Sequence, residues 1–410
     1  MNLSLETARK LMLWKQAFQG ELSPQKSDLL GVIRNLGCIQ IDTINVVERS
    51  HYMTFWSRLG PYNKENLDQL LHPDRKAFEY WAHAASIIPI EHYRYFTSTM
   101  KQNRRRMQAQ AERWLKGKTH LLEEVLEQIR QNGPMSSRDF KQERQRGKRT
   151  GWWNRKPAKT ALEILFNAGI LMVAYRKNFQ RYYDLTENVL PPEIDLAEPS
   201  PEERRRFFME KTLDAWGAAK PSEVSSYYYR WSTRAGLGAE EMEQTLQSLL
   251  RDDAVTEAAI EGLKDPYYML TKDCETARNI AEGRTKGYDN VTFISPFDNL
   301  TWNKNRTQTF FNFTPKLEAY FPKGKRQYGY YSMNILYRDR LVGRLDPKAH
   351  RDKHMIEVKS LHLERNFGPN QEFKEKLDDA FRSFMEFHEA DRITFGKVVP
   401  ATLGLNDFHC

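Results

Sequence analysis

Gln40 and Asp42 stand two residues apart in Gly37-Cys38-Ile39-Gln40-Ile41-Asp42, a short run that reads as a strand. Side chains alternate along a strand, so the amide and the carboxylate share one face while Ile39 and Ile41 take the other. At a rise of roughly 3.3 Å per residue the two polar groups lie about 7 Å apart along the backbone. An amide and a carboxylate so placed can orient a water or steady a developing positive charge. The same residues have a plainer use, because Asp42 precedes Thr43-Ile44-Asn45-Val46-Val47 and can cap a following helix, with Gln40 bonded to backbone.

No other familiar catalytic arrangement competes with this pair. There is no H-E-x-x-H, no phosphate-binding glycine loop, no G-x-S-x-G and no Cys/His/Glu deaminase set. Three cysteines, Cys38, Cys274 and Cys410, lie far apart, which argues against a disulfide framework, a zinc site or an iron–sulfur cluster and fits a reducing cytosol. No metal or cofactor is expected. Residues 4–19 are amphipathic rather than a signal sequence, and no run approaches a membrane span. The expectation is a soluble cytoplasmic protein.

The elements that must hold the pair come from periodicity. Pro157 opens a helix with Ala161, Leu162, Leu165 and Phe166 on one stripe, and Asn167 and Gly169 end it. Strands at 170–175 and 179–185 follow across a turn at Arg176-Lys177-Asn178. Helix then basic hairpin is the mark of a winged helix. The order returns at 239–272, and more loosely at the start, where a helix at 27–35 leads into the Gln40/Asp42 strand and 78–82 and 84–88 supply partners. At 410 residues several domains are expected. The last third alternates at 291–294, 309–313, 328–337 and 341–345, which predicts a small β-barrel, followed by a helix from 370 to 390. The segment 191–201, with four prolines, reads as a linker.

The fold class is therefore α+β, with three tandem winged-helix modules at 1–116, 117–195 and 196–285 and a C-terminal β-barrel with its terminal helix at 286–410. The chain carries 63 Lys+Arg against 54 Asp+Glu, a net charge of +9, and the excess is clustered. Residues 101–118 hold seven basic residues against one acid, and 141–159 hold eight against one. The second run contains Trp152, Trp153, Arg155, Lys156 and Lys159 and enters the helix at Pro157, where the N-terminus favours phosphate. Either run alone reads as a solvated helix face. Two runs flanking a winged helix point to nucleic acid. Tyr227-Tyr228-Tyr229 and Trp231 suit a helix contact better than base stacking, and a lone His83 is more often structural than catalytic.

Five blocks in order together resemble a known family: Gln40-Ile41-Asp42-Thr43-Ile44-Asn45, Glu79-Tyr80-Trp81-Ala82-His83, Gly151-Trp152-Trp153-Asn154 with Lys156-Pro157-Ala158-Lys159, Ser295-Pro296-Phe297-Asp298-Asn299-Leu300, and Leu341-Val342-Gly343-Arg344-Leu345-Asp346-Pro347-Lys348. They are similar to the winged-helix DNA glycosylases of the YcaQ/AlkZ group. The resemblance implies a monofunctional enzyme of base excision repair that acts on double-stranded DNA carrying N7-alkylated purines. The triplet Gln40-Ile41-Asp42 resembles the Gln-apolar-Asp branch, which unhooks interstrand crosslinks. It further implies Asp42 and Gln40 as the catalytic pair, and a lesion-probing hairpin at 346–354 with Arg351, Lys353 and His354 near its tip. Arg344, the basic residues around Trp152 and Trp153, and His83 are then expected at the DNA. Asp346 and Glu48 are further acids available to assist Asp42. A monomer is expected, since three modules already span a duplex. Two other readings use the same features: a DNA-binding regulator without catalysis, and an RNA-binding protein using the barrel as a platform.

Overall fold

The computed structural model describes residues 1–19, 24–140, 157–228, 238–405 and 408–409. Within these, one sequence of elements is built three times. The first copy runs through the helix Lys26–Leu36, the strand Ile39–Gln40, the helices Ser50–Leu59 and Lys64–Leu71, and the hairpin Ala77–Trp81 and Ala85–Pro89. The short strand pairs antiparallel with the second arm of the hairpin. In the second copy the helix Leu121–Asn132 is followed by Met135, which bridges Tyr183 of the hairpin Leu171–Lys177 and Gln180–Leu185, with the helix Pro157–Asn167 between. In the third, the helix Pro201–Trp216 leads to Ala219, which bridges Tyr268 of the hairpin Val255–Ile260 and Tyr267–Leu270; the helices Pro221–Tyr227 and Ala239–Arg251 intervene. Each time, a first short pairing residue or strand docks on the last strand of the hairpin.

Local chemistry explains the copy that carries Gln40. Leu29, Val32, Ile33 and Leu36 bury one stripe of the first helix. Gly37 then ends it at φ +68°, a conformation that suits glycine. A side chain here would also meet the Tyr228 hydroxyl at 2.2 Å. The chain start belongs elsewhere: Asn2–Leu3 pairs parallel with the strand Val255–Ile260 of the third copy.

The C-terminal third is an open six-stranded sheet, which corrects the expected barrel. Its strands, Val291–Ile294, Met333–Tyr337, Arg340–His350, Met355–Leu363, Arg392–Val399 and Phe408–His409, neighbour one another in chain order. The first and last do not pair with each other, so the sheet does not close. Strands Met355–Leu363 and Arg392–Val399 are parallel, and the helix Gln371–Phe387 makes the crossover that a parallel pair requires. That helix lays Phe373, Leu377, Phe381, Phe384 and Met385 on the sheet. Trp56 of the first copy meets Phe293 and Phe384 at ring separations of 5.7 and 5.0 Å. The apolar face that a barrel would turn inward is thus covered by helices.

Two expected strands also change. Residues 309–313 contribute to a helix, Lys304–Phe311, which Asn303 caps by accepting the Arg306 N–H. Only Met333–Tyr337 of 328–337 is strand. Upstream, the backbone N–H groups of Gln327, Tyr328 and Gly329 donate to Glu318, and those of Tyr330 and Tyr331 donate to Asp346. Carboxylates have taken the donors that a ladder needs.

The cores are shared between regions. One joins the first copy to the C-terminal sheet. A second joins the first hairpin to helices of the second and third copies.

Candidate active site

The strand carrying Gln40 is shorter than its sequence suggests. Only Ile39–Gln40 is strand, and the Ile41 N–H makes one more bond, to Ala85 O at 2.7 Å. Alternation survives, with Ile39 and Ile41 buried and Gln40 and Asp42 part-exposed. Asp42 then leaves the ladder by accepting the Ile44 N–H on Oδ1 at 2.8 Å, an Asx-type turn. No helix starts there, because the next begins at Ser50, so Asp42 is not a helix cap. Burial pushes its carboxyl above the ordinary range, against the opposing pull of the Ile44 and Thr43 N–H groups. Among the described residues no Lys, Arg or His pairs with Asp42, and no hydrogen bond engages the Gln40 carboxamide.

The turn after Asp42 is held from three sides. Ser50 Oγ donates to Gln40 O at 2.9 Å. The tip of the hairpin Arg340–His350 and Met355–Leu363 reaches across: Ala349 N–H donates to Val46 O at 3.0 Å, and the Arg351 guanidinium donates to Asn45 Oδ1 at 3.0 Å and to Val47 O. From the second copy, Phe179 at the turn of the hairpin packs its ring under the Arg49 guanidinium at 3.8 Å and against His51. Glu48 is engaged by Lys64 at 3.1 Å and by the Arg49 N–H. Although burial opposes it, these partners hold its carboxyl below the ordinary range.

Beneath the strand lies a polar support that sequence reasoning missed. Asn299 Nδ2 donates to Cys38 O and to the Tyr227 hydroxyl, both at 2.8 Å, and that hydroxyl donates to Leu36 O at 2.6 Å. Next to it, Arg58 and Asp298 form a two-pronged, fully buried ion pair at 2.8 and 3.0 Å. The Ser295-to-Leu300 block thus holds the backbone that enters Gln40. The block stands out in the sequence as one of the five that resemble the family, but nothing there assigns it this supporting role. Tyr227 and Tyr228 are buried, as a helix contact requires. The Cys38 thiol, also buried, is pushed up to about 12 and is no nucleophile at neutral pH.

The block from Glu79 to His83 docks the regions together. Glu79 is buried between Arg176 and Arg181 of the second copy. Burial alone would raise its carboxyl, but the two guanidiniums hold it at about 2. Tyr80 and Trp81 donate to Asn167. His83 stacks on Trp302 at 4.0 Å with its Nδ1 3.0 Å from Ser226 O, at the hairpin turn beside which the Gln40 strand exits.

The basic candidates separate. Arg351, Lys353 and His354 do sit at a hairpin tip, and all are exposed. Arg351 is tied to the Asp42 turn, while His354 Nδ1 lies 3.0 Å from Glu389 O. Arg344 is buried, paired with Glu364 at 2.5 Å and stacked over Phe313 and Tyr328. Asp346 is spent on the Tyr330 and Tyr331 N–H groups. Lys159 is exposed, 4.0 Å from Glu163. Trp152, Trp153, Arg155 and Lys156 lie outside the described residues. Among the described residues no cluster of His, Cys, Asp and Glu suits a metal ion, and no helix is long and apolar enough to cross a membrane.

A family model described as DNA glycosylase AlkZ-like matches residues 33–387. The chain belongs to the AlkZ-like DNA glycosylase family. The solved structure of Streptomyces sahachiroi DNA glycosylase AlkZ has the same fold, with a TM-score of 0.64 over 97% of this chain and 100% of that one, at 14% identity. As a member of the family, this chain is a DNA glycosylase of DNA repair, and DNA is its substrate. The match encloses both the Asp42 turn and the hairpin that clamps it.

Proposed function

We propose that this glycosylase is monofunctional, hydrolyses the N-glycosidic bond of N7-alkylated purines in double-stranded DNA, and unhooks interstrand crosslinks made through such bases. The observation that carries this reading is Asp42, a part-buried carboxylate fixed by backbone N–H groups, without a cationic partner among the described residues, two residues from an unengaged amide.

Ordinary glycoside hydrolysis uses two carboxyl groups, one of which protonates the leaving group. Alkylation at N7 places a positive charge on the purine beforehand, so the base departs neutral and needs no acid. What remains is a cationic sugar and a water. The Asp42 carboxylate faces the developing charge and takes the proton of the water, while Gln40 orients that water. A carboxylate already neutralised by arginine, as Glu79 is, would do neither well. No lysine Schiff base is needed, which is why lyase activity is not expected.

A crosslinked base cannot be swung freely into a closed pocket. A wall-mounted carboxylate suits it better, with a hairpin holding the duplex beside it. The threefold element order supports reading residues 1–116, 117–195 and 196–285 as tandem winged helices ahead of a C-terminal region at 286–410. In this reading the protein acts as a monomer in the cytoplasm, on the nucleoid, without a cofactor.

The test uses duplexes carrying one N7-methylguanine, one N7-linked interstrand crosslink, or neither. Alkali-dependent strand cleavage at the methylated site and separation of the crosslinked strands are expected, with no borohydride-trapped adduct. Near-stoichiometric trapping would overturn the monofunctional mechanism. Release of neither lesion would overturn the substrate assignment.

A further inference from the structure

Tyr320 and Phe321 are 74% and 50% exposed, the only adjacent pair of large exposed hydrophobic residues among those described. Nothing in the cores accounts for two aromatic rings held in water. They are not on a slack segment. Glu318, 2% exposed, accepts three successive N–H groups from Gln327, Tyr328 and Gly329 at 2.8 to 3.1 Å. Phe321 N–H bonds to Glu318 O at 2.9 Å, and Arg326 Nε closes the loop on Phe321 O at 2.9 Å.

The same loop carries Lys323, Lys325 and Arg326. None of the three has an ion pair among the described residues, and the one acid within the loop, Glu318, is buried. Charge and aromatic surface thus coincide on one tight turn. Its far end is fastened to the hairpin that clamps the Asp42 turn: Ser360 Oγ donates to Tyr328 O at 2.6 Å, and Asp346 takes the Tyr330 and Tyr331 N–H groups. That hairpin in turn bonds the Asp42 turn through Ala349 N–H to Val46 O and Arg351 to Asn45, so one hairpin joins the loop to the turn that carries the carboxylate.

We propose that Tyr320 and Phe321 form an aromatic wedge that stacks on bases flanking the target nucleotide, with Lys323, Lys325 and Arg326 gripping the adjacent phosphates. Cationic side chains on one segment suit a polyanion. Aromatic rings beside them suit base faces opened at a weakened step, the way inserted side chains unstack duplex DNA. The wedge rests on the proposed reaction at Asp42 for its place in the catalytic cycle, and its binding role is measurable without that reaction.

The experiment uses the full chain and a duplex with a tetrahydrofuran abasic analogue beside 2-aminopurine. Binding of the parent should change 2-aminopurine fluorescence. The double variant Tyr320→Ala/Phe321→Ala should lose that change and bind this duplex roughly tenfold or more weakly, the scale of a lost base–aromatic stack, with an unaltered melting temperature. Tyr320→Phe should keep both. Lys323→Gln/Lys325→Gln should weaken binding to every duplex and flatten its salt dependence. Parental fluorescence and affinity in the double alanine variant would overturn the wedge. So would parental self-association that the variant abolishes with DNA binding intact, since the patch would then serve a second copy. A wedge signal in a parent that excises no N7-methylguanine would support the wedge and overturn the proposed reaction.

Discussion

Two carboxylates of one three-stranded sheet have opposite fates. Glu79 lies in the middle of the hairpin, buried, with two arginines on it, and is held at about 2. Asp42 leaves the end of the partner strand, part-exposed, bonded only to backbone, and is raised. The first is fully neutralised and joins two copies of the repeated unit. The second has no cationic partner among the described residues, which is why the proposed reaction is placed on it. Within one small sheet, partner supply rather than residue type sends the two carboxyls in opposite directions, and in the proposed function only the unpaired one is reactive.

The contrast breaks first at Glu79. Glu79→Gln leaves the part-buried Arg176 and Arg181 without their acid, and stability should fall by up to about 3–5 kcal/mol, the cost of removing one member of a fully buried pair. Denaturant unfolding measures it, while the folded fraction should keep its excision rate. A variant of parental stability would show that the arginines find other partners. Arg351→Ala comes next. It frees the turn beyond Asp42 from two guanidinium bonds, each on the scale of about 1.5–3 kcal/mol. Single-turnover excision should fall roughly tenfold or more, with duplex affinity changed less. Equal losses in rate and affinity would make Arg351 a DNA contact first and a positioning residue second.

The smallest effect is the dependence of stability on pH, and its sign differs between the two acids. Glu79 has a depressed carboxyl, so its contribution is present above the unfolded value of about 4.3 and fades as pH falls toward 2. Asp42 has a raised carboxyl, so its charge opposes folding above the unfolded value of about 3.9, and Asp42→Asn should melt at or above the parental temperature at neutral pH. Melting curves from pH 3 to pH 7 read both. A lower melting temperature for Asp42→Asn at neutral pH would make Asp42 a structural acid like Glu79.

Much of this was legible from the chain. The helix-then-hairpin order at 157–187 and 239–272 follows from periodicity and turn residues, and the structure has both hairpins. Gln40 and Asp42 are part-exposed beside buried isoleucines, as alternation implies. The open sheet was not legible and a barrel was expected in its place, because alternating strands look the same whether the covering surface is another strand or the helix Gln371–Phe387. Residues 328–331 read as strand because no propensity reveals that Glu318 and Asp346 take their N–H groups. Arg344 was expected at the DNA from the family resemblance alone, and only packing shows Glu364, Phe313 and Tyr328 closed around it.

In the proposed reaction Asp42 acts as a charge and not as a fold element. The most direct test is single-turnover release of N7-methylguanine from duplex DNA by the parent and by Asp42→Asn, with binding to the same duplex measured in parallel. The expected result is a loss of roughly 10²- to 10⁴-fold in rate, the span of positioned acid–base catalysis, with affinity and melting temperature preserved. Parental release by Asp42→Asn would contradict it and move the chemistry to another residue.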